Sequence, residues 1–146
     1  MALEAYPETF IRIASEKYGM GNPHIGLFRI AGTFNRRFRS NYGTSPLICA
    51  ILWNMINPTE NPRVVKGVQH HHLLWALTFL KVYGTESVMR RLCGNPDEKT
   101  YRKWIWIFVT EIANLYPHLV CCCCATTTKQ CLLLCFLRRN FFSCVP

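Results

Sequence analysis

The chain has 146 residues and a formal net charge of +9, and half of its residues are apolar. This length favours a single domain, and the apolar fraction excludes a disordered chain because it is enough to bury a core. Asp97 is the only aspartate, and no acidic residue follows Glu111. Chemistry that requires several carboxylates around metal ions is therefore disfavoured, and we expect no catalytic residues, no metal site and no cofactor.

The first residues do not predict a targeting segment. Residues 1–10 contain two glutamates, no basic residue and no apolar run, unlike a secretory signal. We therefore expect the cysteines to be thiols in a reducing compartment. The excess of basic charge favours a polyanionic partner, either a nucleic acid or an anionic membrane surface, and a DNA partner suggests a nuclear location.

Two helices are predicted in the first third of the chain. Residues 7–17 favour a short helix with proline in its first turn, and residues 24–30 a strand or a linker. In residues 33–43 the aromatic side chains recur every fourth position and line one helical face; they are Phe34, Phe38 and Tyr42. The arginines fall away from this face, and we expect them to contact phosphate groups, with a solvated face as the alternative; they are Arg36, Arg37 and Arg39.

The next helix start is marked by hydroxyl side chains followed by Pro46. This helix is predicted to run to about Ile56, and residues 57–62 to form a loop. Its buried side is expected to consist of Ile48, Ile51, Leu52 and Met55.

Residues 69–83 leave almost no polar face and predict the central buried helix, capped by Gly84. Three consecutive histidines, residues 70–72, open this helix. Adjacent helical side chains point about 100° apart, so three in a row cannot close on one metal ion, and we interpret them as a solvated helix start.

Cys49 and Cys93 are interpreted as small buried apolar residues. The tryptophans are interpreted as core residues rather than base-stacking platforms; they are Trp53, Trp75, Trp104 and Trp106.

The last two predicted helices follow each other closely. Residues 86–92 form a short helix, a tight connection spans residues 93–96, and a longer helix runs over residues 97–116 until Pro117 stops it. Its apolar stripe consists of Tyr101, Trp104, Ile105, Phe108 and Ile112. This is the layout of a helix-turn-helix, in which the start of the second helix enters the DNA major groove. The candidate DNA-binding residues at that start are Lys99, Thr100, Arg102 and Lys103.

An ordered series of segments strengthens this interpretation: Phe38–Pro46, Leu52–Trp53, Leu73–Glu86 and Asp97–Trp104. The series resembles the region ahead of the nuclease domain in DDE-superfamily endonuclease transposases of the Harbinger-like and related insertion-sequence group. The resemblance covers about residues 35–115 and implies a helical DNA-binding segment of a mobile-element protein. Family members continue into a domain whose two aspartates and one glutamate hold divalent metals. Because no acidic residue follows Glu111, we expect a truncated, transposase-derived protein without nuclease activity.

The composition changes near residue 120, and we therefore divide the chain into residues 1–33, 34–117 and 118–146. Seven of the nine cysteines and no acidic residue follow position 120. Four consecutive cysteines lack the spacing of zinc ligands, and runs of identical residues suggest a frameshift or an intron. We expect a small helical bundle followed by a disordered or poorly packed tail.

Two other functions remain open from the sequence. The apolar stretch Leu119–Leu137 approaches bilayer length and could attach a helical protein to a membrane, although Thr126–Gln130 interrupts it. A helical protein-interaction module is the second alternative. Duplex DNA is the preferred partner.

Overall fold

A computed structural model of the chain describes residues 6–19, 29–58, 60–62, 64 and 67–121. This part of the chain contains helices and no strand, so the predicted all-α class is confirmed for it. The helices are α1 (Pro7–Tyr18), α2 (Arg29–Tyr42), α3 (Pro46–Ile56), α4 (His70–Val82), α5 (Glu86–Leu92) and α6 (Glu98–Cys121). The tail predicted to be disordered or poorly packed lies, after residue 121, outside the residues that the structure describes.

The centre of the bundle is α4, which packs against each of the other five helices. Every residue from His71 to Thr78 is buried, because neighbours surround this helix on nearly all sides. The most extensive of its contacts is with α6, whose predicted apolar stripe from Tyr101 to Ile112 is buried. The sequence prediction of a central buried helix is confirmed.

An aromatic stack ties three helices together inside the core. The indole of Trp53 on α3 lies 4.1 Å from the imidazole of His70 on α4 and 5.9 Å from the ring of Phe108 on α6, measured between ring centroids. Phe10 of α1 meets the same imidazole edge-on at 5.7 Å. Because large buried side chains contribute most of the burial free energy, this stack fixes how the helices meet.

The start of α3 confirms the predicted cap. The Ser45 hydroxyl accepts a hydrogen bond from the Ile48 N–H at 3.4 Å, and Pro46 is the first helical residue. The helix ends at Ile56, as predicted. Its predicted buried side is wrong at Met55, which is 37 % exposed, because the buried face of α3, which includes Leu52, Trp53 and Ile56, is rotated away from Met55.

The predicted strand or linker over residues 24–30 is wrong at its end, because Arg29 and Ile30 belong to α2; residues 24–28 lie outside the described residues. Extending an existing helix costs less than starting one, and Gly32 in its interior costs only about 1 kcal/mol. The predicted arrest of α6 at Pro117 is also wrong, since the helix continues to Cys121. A proline removes only one backbone hydrogen bond from a helix, and α6 is 24 residues long, with Pro117 in its last two turns.

The predicted cap of α4 by Gly84 is wrong by one residue. Tyr83 ends the helix in the left-handed conformation, with φ of 50°, and its N–H donates to the carbonyl oxygen of Phe79 at 3.1 Å. This backbone conformation is unusual for a residue with a Cβ atom. Contact between the Tyr83 and Phe79 rings, 6.1 Å apart, accompanies it.

The predicted solvated histidine run is wrong. His71 and His72 are 9 % and 5 % exposed. The imidazole of His72 stacks on Trp104 of α6, and that of His71 packs 4.8 Å from the ring of Trp75. Neutral imidazoles can pack as aromatic rings, and the indoles of Trp75 on the same helix and of Trp104 on α6 provide the surfaces that bury them.

Candidate nucleic-acid interface

The arginines of α2 form an exposed basic face. Phe34, Phe38 and Tyr42 are buried, as predicted, and they hold α2 against α4. Because an α-helix turns by about 100° per residue, Arg36 points away from this buried stripe. Arg37 and Arg39 flank Arg36 on either side. All three arginines are exposed.

No acidic residue of α2 offsets this charge, since the helix contains four arginines and no aspartate or glutamate. Within the described residues, none of the three exposed arginines takes part in an ion pair. They remain available to an external anion, and we name Arg36, Arg37 and Arg39 the arginine face.

The second group of candidate residues lies at the start of α6. Lys99, Thr100, Arg102 and Lys103 are all exposed, as expected from the burial of the apolar stripe on the other side of the helix. The spacing of the three basic residues, i, i+3 and i+4, puts them on one face. The backbone N–H of Thr100 is already occupied, because it donates to the Asp97 carboxylate at 3.1 Å and thereby caps the helix.

Arg102 is engaged inside the protein rather than free. Its guanidinium donates to the Glu86 carboxylate of α5 at 2.8 Å and to the Glu98 carboxylate at 2.6 Å. The hydrogen bond to Glu86 is the largest cause that raises the pKa of Arg102. The negative charges of Glu86 and Glu98 raise this pKa further. Arg90 of α5 lies 3.8 Å from the other oxygen of Glu98. These ion pairs join α5 to the start of α6 and offset the charge of Arg102, one of the three basic residues expected to contact DNA there.

The turn between α5 and α6 has the backbone geometry that its sequence favours. Gly94 and Asn95 both adopt positive φ, 81° and 55°, which glycine and asparagine tolerate best. The Asn95 N–H donates to the Arg90 carbonyl oxygen at 2.7 Å, and the Arg90 side chain donates to the Pro96 carbonyl oxygen at 2.9 Å. A short helix, a tight turn and a longer helix therefore follow each other in the predicted order.

Trp106 was interpreted from sequence as a core residue, and this is wrong, because 57 % of it is exposed. The other three tryptophans are buried, as expected. Trp106 lies seven residues after Lys99 and four after Arg102, so it shares their face of α6. That spacing was the signal that could have revealed its exposure, since the face opposite the apolar stripe must point to solvent.

The two basic groups lie on different helices that both pack on α4. The structure brings Lys99, Arg102 and Lys103 together on one face and keeps the arginine face together on another helix. Lys103 also lies over the ring of Trp104, with its Nζ 4.9 Å from the ring centroid.

Other site types find no support in the part of the chain described. None of its residues forms a group of three or more histidine, cysteine or acidic side chains placed to hold a metal ion. None of its helices combines the length and apolar character needed to cross a membrane. The four consecutive cysteines and most of the Leu119–Leu137 stretch lie outside these residues.

Comparison with known proteins identifies no relative: no family model matches the chain, and neither the curated proteins nor the solved structures give a match.

Proposed function

We propose that this protein binds duplex DNA, mainly through phosphate contacts, and that it derives from the helix-turn-helix region of a DDE-superfamily transposase without carrying its nuclease activity. The observation that carries the proposal is the arginine face of α2, three exposed guanidinium groups without acidic neighbours on their helix. Arginine side chains bind phosphate oxygens with two parallel hydrogen bonds, which suits them to a nucleic-acid backbone.

The charges at the start of α6 favour phosphate contact over base reading. Residues 86–103 contain five basic and three acidic residues, and Arg102 is held by two of those acids. Both pairs use Nη2 of Arg102, so the two carboxylates offset its charge and restrict its orientation, and its other N–H groups are less well placed to reach a guanine edge. Lys99 and Lys103 would therefore add phosphate contacts, and base recognition would contribute less than the sequence suggested.

A salt titration of duplex binding tests this proposal. The logarithm of the binding constant falls with the logarithm of the salt concentration by about 0.9 for each phosphate that is neutralised. Replacing Arg36, Arg37 and Arg39 by alanine is expected to lower affinity at low salt and to flatten the slope by up to three such contacts. The stability of the bundle should change little, because exposed charges contribute little to it.

The matched control is Arg12→Ala on α1, compared with Arg36→Ala. Both substitutions remove one exposed arginine, but Arg12 is paired with Glu16 at 3.4 Å. The control is expected to leave the slope unchanged. Equal slopes for the wild type and the triple variant, or no duplex binding at low salt, would overturn the proposal.

A further inference from the structure

Three aromatic side chains form a partly exposed cluster where α4 and α6 meet. Trp106 is 57 % exposed and Tyr83 is 70 % exposed. Phe79 lies between them, with its ring centroid 6.0 Å from that of Trp106 and 6.1 Å from that of Tyr83. Contiguous apolar surface of this kind is a candidate binding site, whereas exposed apolar residues that are scattered singly are common.

Basic residues lie directly beside this aromatic cluster. Trp106 follows Arg102 and Lys103 by one helical turn on the exposed face of α6. Lys99 lies one further turn toward the helix start, and it forms no ion pair among the described residues. A ligand that covers Trp106 therefore also meets positive charge.

A cleft of about 210 Å³ opens at the cluster, with Phe79, Ile105 and Trp106 among its walls. Pockets for drug-sized molecules enclose about 300–1,000 Å³, so this cleft suits a single planar ring. Glu86 lies at its edge, where one carboxylate oxygen accepts from Arg102. The other carboxylate oxygen, Oε1, is buried without a hydrogen-bond partner among the described residues.

We propose that the aromatic cluster Phe79, Tyr83 and Trp106 is a stacking site for unpaired bases of single-stranded nucleic acid. The inference rests on the proposed function in one respect, since the α6 lysines of that proposal would hold the backbone here. Single-strand binding typically combines a positively charged track with aromatic rings on which successive bases stack. The carboxylate of Glu86, which also lines the cleft, accepts hydrogen bonds of the kind that the ring N–H or amino groups of a base donate.

The arrangement fits a single strand better than a duplex. In a duplex the base faces are stacked on one another, and only their edges are accessible in the grooves. Two exposed rings on either side of Phe79 would then have no partner. The carboxylates that pair with Arg102 weaken the attraction of this surface for phosphate groups. A single strand depends less on that attraction than a duplex does, because base stacking supplies part of its affinity.

Fluorescence anisotropy with a labelled oligothymidylate of about 20 nucleotides, and with a duplex of equal length, tests the inference on the full chain. Trp106→Ala is expected to weaken single-strand binding by about five- to a hundredfold, as the loss of a base–aromatic stack does. Trp106→Phe should restore most of it, because a phenyl ring still stacks. Duplex affinity should change less than twofold with either substitution.

The matched control is Leu47→Ala, which shortens another exposed apolar side chain, 48 % exposed on α3. It is expected to leave both affinities unchanged, and circular dichroism should show that each variant is folded. Duplex binding without single-strand binding would overturn this inference and leave the proposed function standing. Single-strand binding that depends on Trp106, without duplex binding, would support this inference and overturn the proposed function. Single-strand binding that ignores Trp106, or binding of neither ligand, would overturn the stacking site.

Discussion

His72 lies flat against Trp104, with ring centroids 4.2 Å apart and an angle of 10° between the planes. Its Nδ1 accepts a hydrogen bond from the Gln69 N–H at 3.1 Å, so this nitrogen carries no proton. The Nδ1 of the adjacent His71 faces the Lys17 ammonium at 3.1 Å, and an ammonium can only donate. Both imidazoles are therefore neutral in the folded protein, and burial and geometry together oppose their protonation.

The protein is expected to lose stability in mild acid. Burial lowers the pKa of His71 to about 4, and the charges of Lys17 and His70 act in the same direction. Burial also lowers the pKa of His72 to about 3, together with the charges of His71, Lys17 and Lys103. The unfolded chain protonates these groups near pH 6.5, roughly 3 units higher. The free energy of unfolding should thus be independent of these histidines above about pH 6.5 and fall as the pH drops toward 4, on the order of 3 kcal/mol for His71 alone. Urea unfolding at about pH 7.5 and about pH 4.5 measures the loss.

The double substitution His71→Asn and His72→Asn is the control for this pH dependence. Asparagine places an acceptor oxygen near the position of Nδ1 but does not titrate in this range. Acidic residues contribute their own pH dependence equally to both proteins. The variant should show a smaller fall in urea midpoint between the two pH values, and an equal fall would refute the role of the histidines.

Removing the charge of Glu98 is expected to strengthen duplex binding. Glu98→Gln removes an acid that pairs with Arg102 and lies 3.8 Å from Arg90, so both guanidinium groups become more available to phosphates. Affinity at low salt should rise several-fold, and the bundle should lose less than about 1 kcal/mol because these pairs are exposed. Glu16→Gln, which breaks the exposed Arg12–Glu16 pair on α1, is the matched control and should change duplex affinity less. Weaker binding by Glu98→Gln would contradict the expectation.

Two aromatic residues of α6 should differ sharply in their effect on stability. Phe108 is fully buried against Trp53, and Phe108→Ala is expected to cost about 3–5 kcal/mol through lost burial and a cavity. Trp106→Ala removes a larger but mostly exposed ring, so its cost should stay within about 1 kcal/mol. Thermal or urea unfolding compares the two. Similar losses would mean that Trp106 contributes to the core after all.

The cysteines of the bundle should resist alkylation in the folded protein. Cys49 and Cys93 are buried and free, and burial raises the pKa of the Cys49 thiol above its usual range. Burial likewise raises the pKa of Cys93 to about 12, although the Tyr101 and Thr78 hydroxyls act in the opposite direction. Because the thiolate is the reactive form, peptide-resolved mass spectrometry after iodoacetamide treatment at neutral pH should find both unmodified. Both should react in urea, and modification at the same rate without urea would count against this burial.

Local sequence signals were sufficient for the features that depend on one helix at a time. The i, i+4 spacing of Phe34, Phe38 and Tyr42 predicted the buried stripe of α2 and the exposure of its arginines, because a helix has a fixed period. Ser45 before Pro46 predicted the start of α3, since the cap bonds within one turn. The stripe of α6 was predictable in the same way. The role of the exposed residues in binding stays a proposal.

The features that the sequence interpretation missed depend on contacts between helices. Glu86 and Arg102 are 16 residues apart, and only the packing of α5 and α6 around α4 brings their side chains within 2.8 Å. The polar character of His71 and His72 suggested solvent, but the surrounding indoles supply a buried environment that the sequence does not reveal. Trp106 is the converse case, because residue type favoured burial while its helical face pointed outward. Composition and periodicity thus determined that this chain forms helices with basic outer faces. The tertiary structure decided which charges remain available and which aromatic rings stay exposed, because burial and ion pairing are properties of neighbours that are distant in the chain.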